Sequence, residues 1–403
     1  MPEAETSHPK KLTPSDVLKS EAPLVLTATL EPVVGDRFQP AGFPEIGHVI
    51  YKAPRKDGST ESVCIVDSAA SMANHLESVC QRGAHDLDLV SELQGMPYLR
   101  CVTGDLKGKR LPSEGREVVV TSLTEGHRIA SNYFFGVRKN RKWDGKSARR
   151  VGSGHSIADE SFGDELAGPT RFGIQSDGQS IAHPPPHRWW NVFKTIFQFD
   201  PNSLVHGVLF TEWQIKIPRA LTAHLEAFGA GRVDRSGVKF DHLGKTTSGQ
   251  PIFAVDDATA ESIRATFVLD VSLIRSFGRK SRDGAEETQL GLSDKQKEFV
   301  VALALWKIGK LLDSPFRFRS GCHLRRTSLK SAAQSLEGPE KDVELDVDIR
   351  TAITSADFRS KENGEPELPI VTDVYWPREE LYREAPADST ESAEEDDGSK
   401  ETE

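Results

Sequence analysis

The chain has 403 residues, 37% of them hydrophobic, and a formal net charge of −10, enough length to hide about 75% of its unfolded surface. Its opening "MPEAETSHPKK" has no apolar run, and the longest such run, Val300 to Trp306, is too short to span a bilayer; neither a secretory signal nor a membrane association is expected. Four cysteines without C-x-x-C spacing predict reduced thiols in a cytoplasmic protein and exclude a disulfide frame or a zinc cluster.

The charge is unevenly placed. Residues 384–403 hold nine acids and one lysine, a charge of −8, so the rest of the chain carries only −2. That acidic C-terminal tail has no aromatic or aliphatic period and is expected to be disordered. Residues 138–150, "RKNRKWDGKSARR", place seven basic residues against one aspartate.

In chain order, residues 1–20 read as a loose arm and 21–383 as one body. Leu24, Leu26, Ala28 and Leu30 alternate with Val25, Thr27 and Thr29, a half-buried strand pattern. Further strands are expected near 48–53, 62–66, 98–103 and 116–121. A helix begins at Asp67 or Ser68, either of which can cap it. A second helix, "SLTEGHRIASNYFF", is expected from a Ser122/Glu125 capping box, with Leu123, Ala130, Tyr133 and Phe134 inward. Insertions without periodicity cover about 136–187, 229–251 and 278–293. Between them lie a helix in "HRWWNVFKTIFQF", strands near 204–213 and 213–217, and another at 265–271. Asp294 to Asp313 is the clearest helix, buried through Phe299, Leu303, Trp306 and Leu311. A last strand, Val343 to Ile349, turns Glu344, Asp346 and Asp348 outward. Strands and helices mixed without βαβ alternation give an α+β class with long insertions.

Enzyme signatures fail. "GKTT" at 244–247 has Lys239 where a phosphate-binding loop needs its first glycine, and "GSGHS" at 152–156 lacks the frame of a nucleophile elbow. His183 and His187 are separated by prolines that do not align two imidazoles, and the acids of 343–349 read as a solvated strand face. No catalytic constellation and no metal site is expected.

Binding signals remain, each with a plainer alternative. Ser68, Ser71 and Asn74 share a helix start that would suit a phosphate, or Ser68 is simply a cap. His127 and Arg128 either face a ligand or are a packed histidine and a surface arginine. Arg138, Lys139, Arg141 and Lys142 form a backbone clamp with Trp143 for base stacking, or a solvated segment. "FRFR" sends Phe316 and Phe318 to one face and Arg317 and Arg319 to the other, as a phosphate contact or as ordinary edge charge.

Five stretches in this order, "GDRFQPAGFPEIGHVIY", "VDSAASMANHLE", "TSLTEGHRIASNYFF", "DPNSLVHGVLF" and "FRFRSGCHL", resemble the RAMP-type backbone subunit of the type I-U (now I-G) CRISPR Cascade complex, a branch of the seventh Cas family. The resemblance spans residues 20 to 383. It implies a ferredoxin-like, RRM-like palm with long insertions, one of them a thumb. It implies copies joined head to tail along a CRISPR RNA, supporting its pairing with a target DNA strand. A large subunit and a crRNA-end-capping subunit are the implied partners; no cofactor and no catalysis are implied. Where the family helix carries arginine, this chain has His75. In this frame Arg37 and Gln39 of the "RFQPAGFP" loop contact RNA, while Phe38 or Phe43 packs beneath or stacks on a base; as core plugs they would do neither. The competing function is a metal-dependent endoribonuclease of the type III kind, with Asp36 or Asp67 as its aspartate. An assembly protein without RNA is the third.

Overall fold

The computed structural model describes residues 9–381, apart from 43–47, 84–85, 136–137, 140–141, 144–147, 175–183, 234–255, 284–285, 332–339 and 359–369. In chain order come β1 (Lys10–Leu12), α1 (Pro14–Lys19), β2 (Leu24–Pro32), β3 (Ile50–Pro54), β4 (Thr60–Asp67) and α2 (Ala69–Ser78). Next are β5 (Tyr98–Thr103), β6 (Glu117–Thr121), α3 (Trp189–Phe199), α4 (Asn202–His206), β7 (Leu221–Phe228) and β8 (Ser262–Leu269). Then follow α5 (Val271–Ser276), α6 (Asp294–Leu312), β9 (Phe316–Arg319), β10 (Cys322–Ser331), β11 (Lys341–Leu345), α7 (Ile349–Ser355) and β12 (Val371–Tyr375). The mixture is α+β, as expected.

The main sheet runs β1-β11-β10-β2-β8-β7-β4-β3, with β9 hairpinned onto β10. Its central strands are all antiparallel. Leu26, Ala28 and Leu30 of β2 are buried, while Val25, Thr27 and Thr29 are only half covered. One face therefore meets the core and the other meets water. A smaller sheet pairs β12 in parallel with β5 and β5 antiparallel with β6.

The core-facing layer is organised by α6. Ser293 caps it, accepting from the Gln296 amide at 3.3 Å while the Gln296 side chain accepts from the Ser293 amide at 2.9 Å. Phe299, Leu303, Trp306 and Leu311 are buried as expected, and so are Val300, Leu305 and Ile308 on the other faces. A helix apolar all round must lie inside, and α1, α2, α4, α5 and α7 all pack on it. The four cysteines are buried and unpaired, and burial pushes the Cys101 thiol up to about 12. No described helix is long and apolar enough to cross a membrane.

Several expectations are corrected. Residues 122–135 do not form one helix: Arg128–Ala130 is a 3-10 turn and Asn132–Phe135 a single helical turn. The Thr121 hydroxyl accepts from the amides of Leu123 and Thr124, each at 3.3 Å, competing with helical bonds. Ser122, the expected cap, instead accepts from the Leu99 amide at 3.2 Å, and Arg128 adopts a left-handed φ of 53°. The strand expected at 204–213 is divided into α4, a reversal at Gly207 (φ 79°) and a short strand, Val208–Phe210, paired with Ile215–Ile217. Residues 278–291, expected as loop, pair Gly278–Asp283 with Glu286–Gly291 as a hairpin. The last acidic strand is shorter than expected; Asp348 caps α7, accepting from the Thr351 amide at 3.0 Å. β7 and β12 lie outside the expected elements, and part of the expected loose arm is ordered: Lys10–Leu12 pairs with β11 and α1 buries Val17. Part of the aperiodic 136–187 stretch is core, through Phe162, Leu166 and Phe172.

Candidate nucleic-acid interface

Three segments far apart in sequence meet at one end of the main sheet. The loop after β2 is pinned from both sides: the Val33 amide donates to His323 O at 3.0 Å, Gln39 to Gly321 O at 2.9 Å and Ala41 to Val66 O at 2.8 Å. Phe38, bridged to Ala258, is buried beneath the loop and serves as its plug. Above it Arg37 projects, with 63% of its side chain exposed and its guanidinium 3.9 Å from Asp257. Gln39 is half-buried.

Behind the loop, Asp67 closes β4 with 1% of its side chain exposed. Its Oδ1 accepts from the Ser68 amide and from Arg319, each at 2.9 Å, and its Oδ2 from His75 Nε2 at 2.8 Å. Burial alone would raise this carboxyl; the His75 hydrogen bond, the Arg319 charge and Ser71 outweigh it and hold the carboxyl below its ordinary range. Arg319 also donates to Val66 O at 2.6 Å. The His75 ring lies edge-on to Phe316 and Phe318, with centroids 5.4 and 5.3 Å away. One cluster thus ties β4, α2 and the β9–β10 hairpin together.

Between loop and hairpin lies a groove of about 620 Å³, lined by Pro32, Val33, Val34, Arg37, Pro315 and His323 among others. Its floor is apolar, with Val34 84% exposed. Arg37 and His323 border it, and Arg317 stands exposed on the same hairpin, donating to the Ser320 hydroxyl at 2.8 Å. Asp36 and Asp257 line the groove as well, so its positive potential rests on Arg37 and the neighbouring Arg317, while its apolar lining suits the bases or riboses of a nucleic-acid strand.

The expected residues divide. Arg37, Gln39, Arg317 and Arg319 come together here. Ser68 accepts from the Ser71 amide at 3.2 Å as the cap of α2, and the Ser71 hydroxyl lies 3.3 Å from His75, so the N-terminus of α2 is already occupied by its own residues and by Asp67. Asn74 is exposed further along α2. His75 points at Asp67 and not at solvent, so the histidine in place of the family arginine does not remove an outward cation. Arg128 is corrected: it is 6% exposed and clamps Glu77 through two bonds of 2.7 and 2.9 Å, while His127 is exposed. The backbones of Arg138–Lys139 and Lys142–Trp143 pair as two short strands; their side chains, Arg141 and Phe43 lie outside the described residues. Sequence reasoning missed His323 and the Val33–Val34 floor. An exposed Val-Val pair after a strand was the available signal for the floor.

A family model described as "CRISPR-associated protein GSU0053" matches residues 24–232, just over half of the chain. The chain belongs to this CRISPR-associated family. The matched region includes the loop after β2, α2 and Glu77, but ends before β9 and β10. No curated protein matches the sequence. The crystal structure of Csc2 from Thermofilum pendens covers 87% of this chain and 75% of its own at 12% identity, with a TM-score of 0.28, too loose a superposition to carry an argument.

Proposed function

We propose that the chain is a non-catalytic RNA-binding subunit of a CRISPR interference complex. In this reading copies line up head to tail along the guide RNA, in the cytoplasm, beside the other Cascade subunits, and present the guide for pairing with target DNA. The observation that carries it is the convergence of the β2 loop and the β9–β10 hairpin on one largely apolar groove with Arg37 and Arg317 exposed beside it.

Strand order supports an RRM-related palm. β2, β7, β8 and β10 stand as β10-β2-β8-β7, which is fourth-first-third-second for a β-α-β-β-α-β unit, with β7–β8 the antiparallel pair and α6 in the second crossover. β3, β4 and the smaller sheet are then insertions. Asp67 supports the absence of cleavage: both its oxygens are taken by Arg319, His75 and the Ser68 amide, leaving it poorly placed to hold a metal ion.

The test is fluorescence anisotropy of labelled CRISPR RNA against salt. Each neutralised phosphate on a single strand adds about −0.7 to the log–log slope, so a measurable slope is expected for the full chain. A flat titration with no binding at low salt would reject the reading. Periodic cleavage of complementary RNA with magnesium, lost in Asp36→Ala, would favour the endoribonuclease instead.

A further inference from the structure

We propose that the cleft between β10 and β11 takes up a short, extended, basic segment of a partner protein as an added β-strand. On the side away from β2, β10 pairs with β9 as far as Leu324 and with β11 only at Lys330 and Ser331. Residues 325–329, about 16 Å of strand, have no strand partner on that side among the described residues. β11 turns away at Val343–Leu345 to pair with β1, which leaves its inner edge open as well. The two edges border a cleft of about 710 Å³ whose lining includes Leu305, Trp306 and Gly309 of α6. Facing edges of backbone donors and acceptors are what an incoming strand pairs with.

Gly309 points the same way. It lies inside α6, where glycine is the least favourable residue short of proline. Yet a Cβ there would meet only Leu345 Cδ1, at 3.9 Å. Packing therefore does not demand glycine, and the missing side chain keeps the cleft floor open. The lining also sets the occupant's chemistry. Val343 is buried and Leu345 half-buried, while Asp342 and Glu344 are exposed. An added strand of alternating character thus lays apolar side chains over Trp306 and basic ones beside the acids. Asp313, Asp342 and Glu344 line the cleft against Arg326, and Lys310 is already held by Glu92 at 2.6 Å, so acid is in excess. A bulge at Thr327 and the Arg326 charge guard this edge against another flat sheet, which favours a single strand over the sheet edge of a second copy. None of this rests on the RNA-binding reading.

The probe is a short capped peptide alternating lysine and valine, titrated into the full chain by calorimetry. Saturable binding is expected, with amide hydrogen exchange slowed at 325–329 and 343–345. Methylating alternate backbone nitrogens of the peptide, or replacing its lysines by glutamates, should weaken binding about ten-fold or more. Gly309→Leu, which fills the floor, should abolish binding without lowering the urea midpoint or changing RNA affinity. No saturable binding overturns the proposal, and so does equal binding of the methylated or the glutamate peptide. If Gly309→Leu keeps the peptide but alters self-association or RNA affinity, the cleft belongs to a second copy or to RNA, and the proposal falls.

Discussion

Helix α2 carries an arginine–carboxylate pair at each end, and the two pairs do different work. At its C-terminal end Glu77 is clamped by Arg128, accepts from Asn202 at 2.6 Å, and is linked through Asn202 to Lys307, which is wholly buried. At its N-terminal end Asp67 is just as buried, but its partners Arg319 and His75 keep 23% and 18% of their side chains in solvent. A sealed network can only hold elements together. A pair whose cation reaches the surface can hold elements together and still offer positive potential to a ligand. Chemistry alone does not separate Arg128 from Arg319; the depth of the partner does.

The largest effect is expected from opening the sealed end. Arg128→Met leaves Glu77 buried beside fewer donors and should cost about 3–5 kcal/mol of stability, measured by urea unfolding, with RNA affinity per folded molecule unchanged. A loss below about 1 kcal/mol would show that water or rearrangement satisfies Glu77. A loss of RNA affinity without a loss of stability would return Arg128 to the interface.

Asp200, buried near that network and bonded by the Ser203 hydroxyl at 2.7 Å, gives the next effect. It is fully buried, its Oδ1 has no hydrogen-bond partner, and burial, partly offset by the Ser203 hydroxyl, pushes its carboxyl up to about 7. The folded state therefore keeps a proton that the unfolded chain loses near pH 4. Stability contributed by this group is fully present below that value and drains as pH rises towards 7, at up to about 1.4 kcal/mol per pH unit. Asp200→Asn should flatten the stability curve between pH 5 and 7. An unchanged slope would mean that Asp200 is ionised against Lys307 and Arg128.

These contrasts mark what was legible in the sequence. The β2 alternation and α6 were readable because their signals are periodic and local. The meeting of "GDRFQP" with "FRFR" was implied by a family resemblance, not by any spacing. The helix expected at 122–135 failed on the Thr121 hydroxyl, the Ser122 bond to Leu99 and the left-handed Arg128, and 204–213 failed because polar Asn202 and His206 face buried Lys307, which no local pattern reveals. β7 alternates, with Leu221, Ala223, Leu225 and Ala227 all buried, so its period is legible in the sequence. Arg128 read as a surface residue because nothing near it in sequence names Glu77.

The surface end of α2 is tested by a double-mutant cycle. Arg319→Met and Asp67→Asn should each destabilise, and should couple by about 1–2 kcal/mol because they share one buried carboxylate. His75 remains on Asp67 in the first variant, which keeps the cost below that at Arg128. Additive losses would mean that Arg319 is held by Val66 O alone and that its charge is free for RNA.

The smallest effect on stability, and the most informative about binding, belongs to Arg37. Its side chain is mostly in water and its nearest acid is 3.9 Å away, so Arg37→Ala should change unfolding by no more than about 0.5 kcal/mol. If Arg37 lies over a phosphate, the same substitution should lower the salt slope for RNA by about 0.7 and weaken binding on all sequences alike. The Arg37→Lys variant should keep the slope, since a point charge suffices there, whereas loss in both would mean a bidentate contact that only a guanidinium makes. An unchanged slope in Arg37→Ala, with binding intact, would place the RNA path away from the β2 loop. The β9–β10 face and the basic segment 138–150 would then be the surfaces to examine.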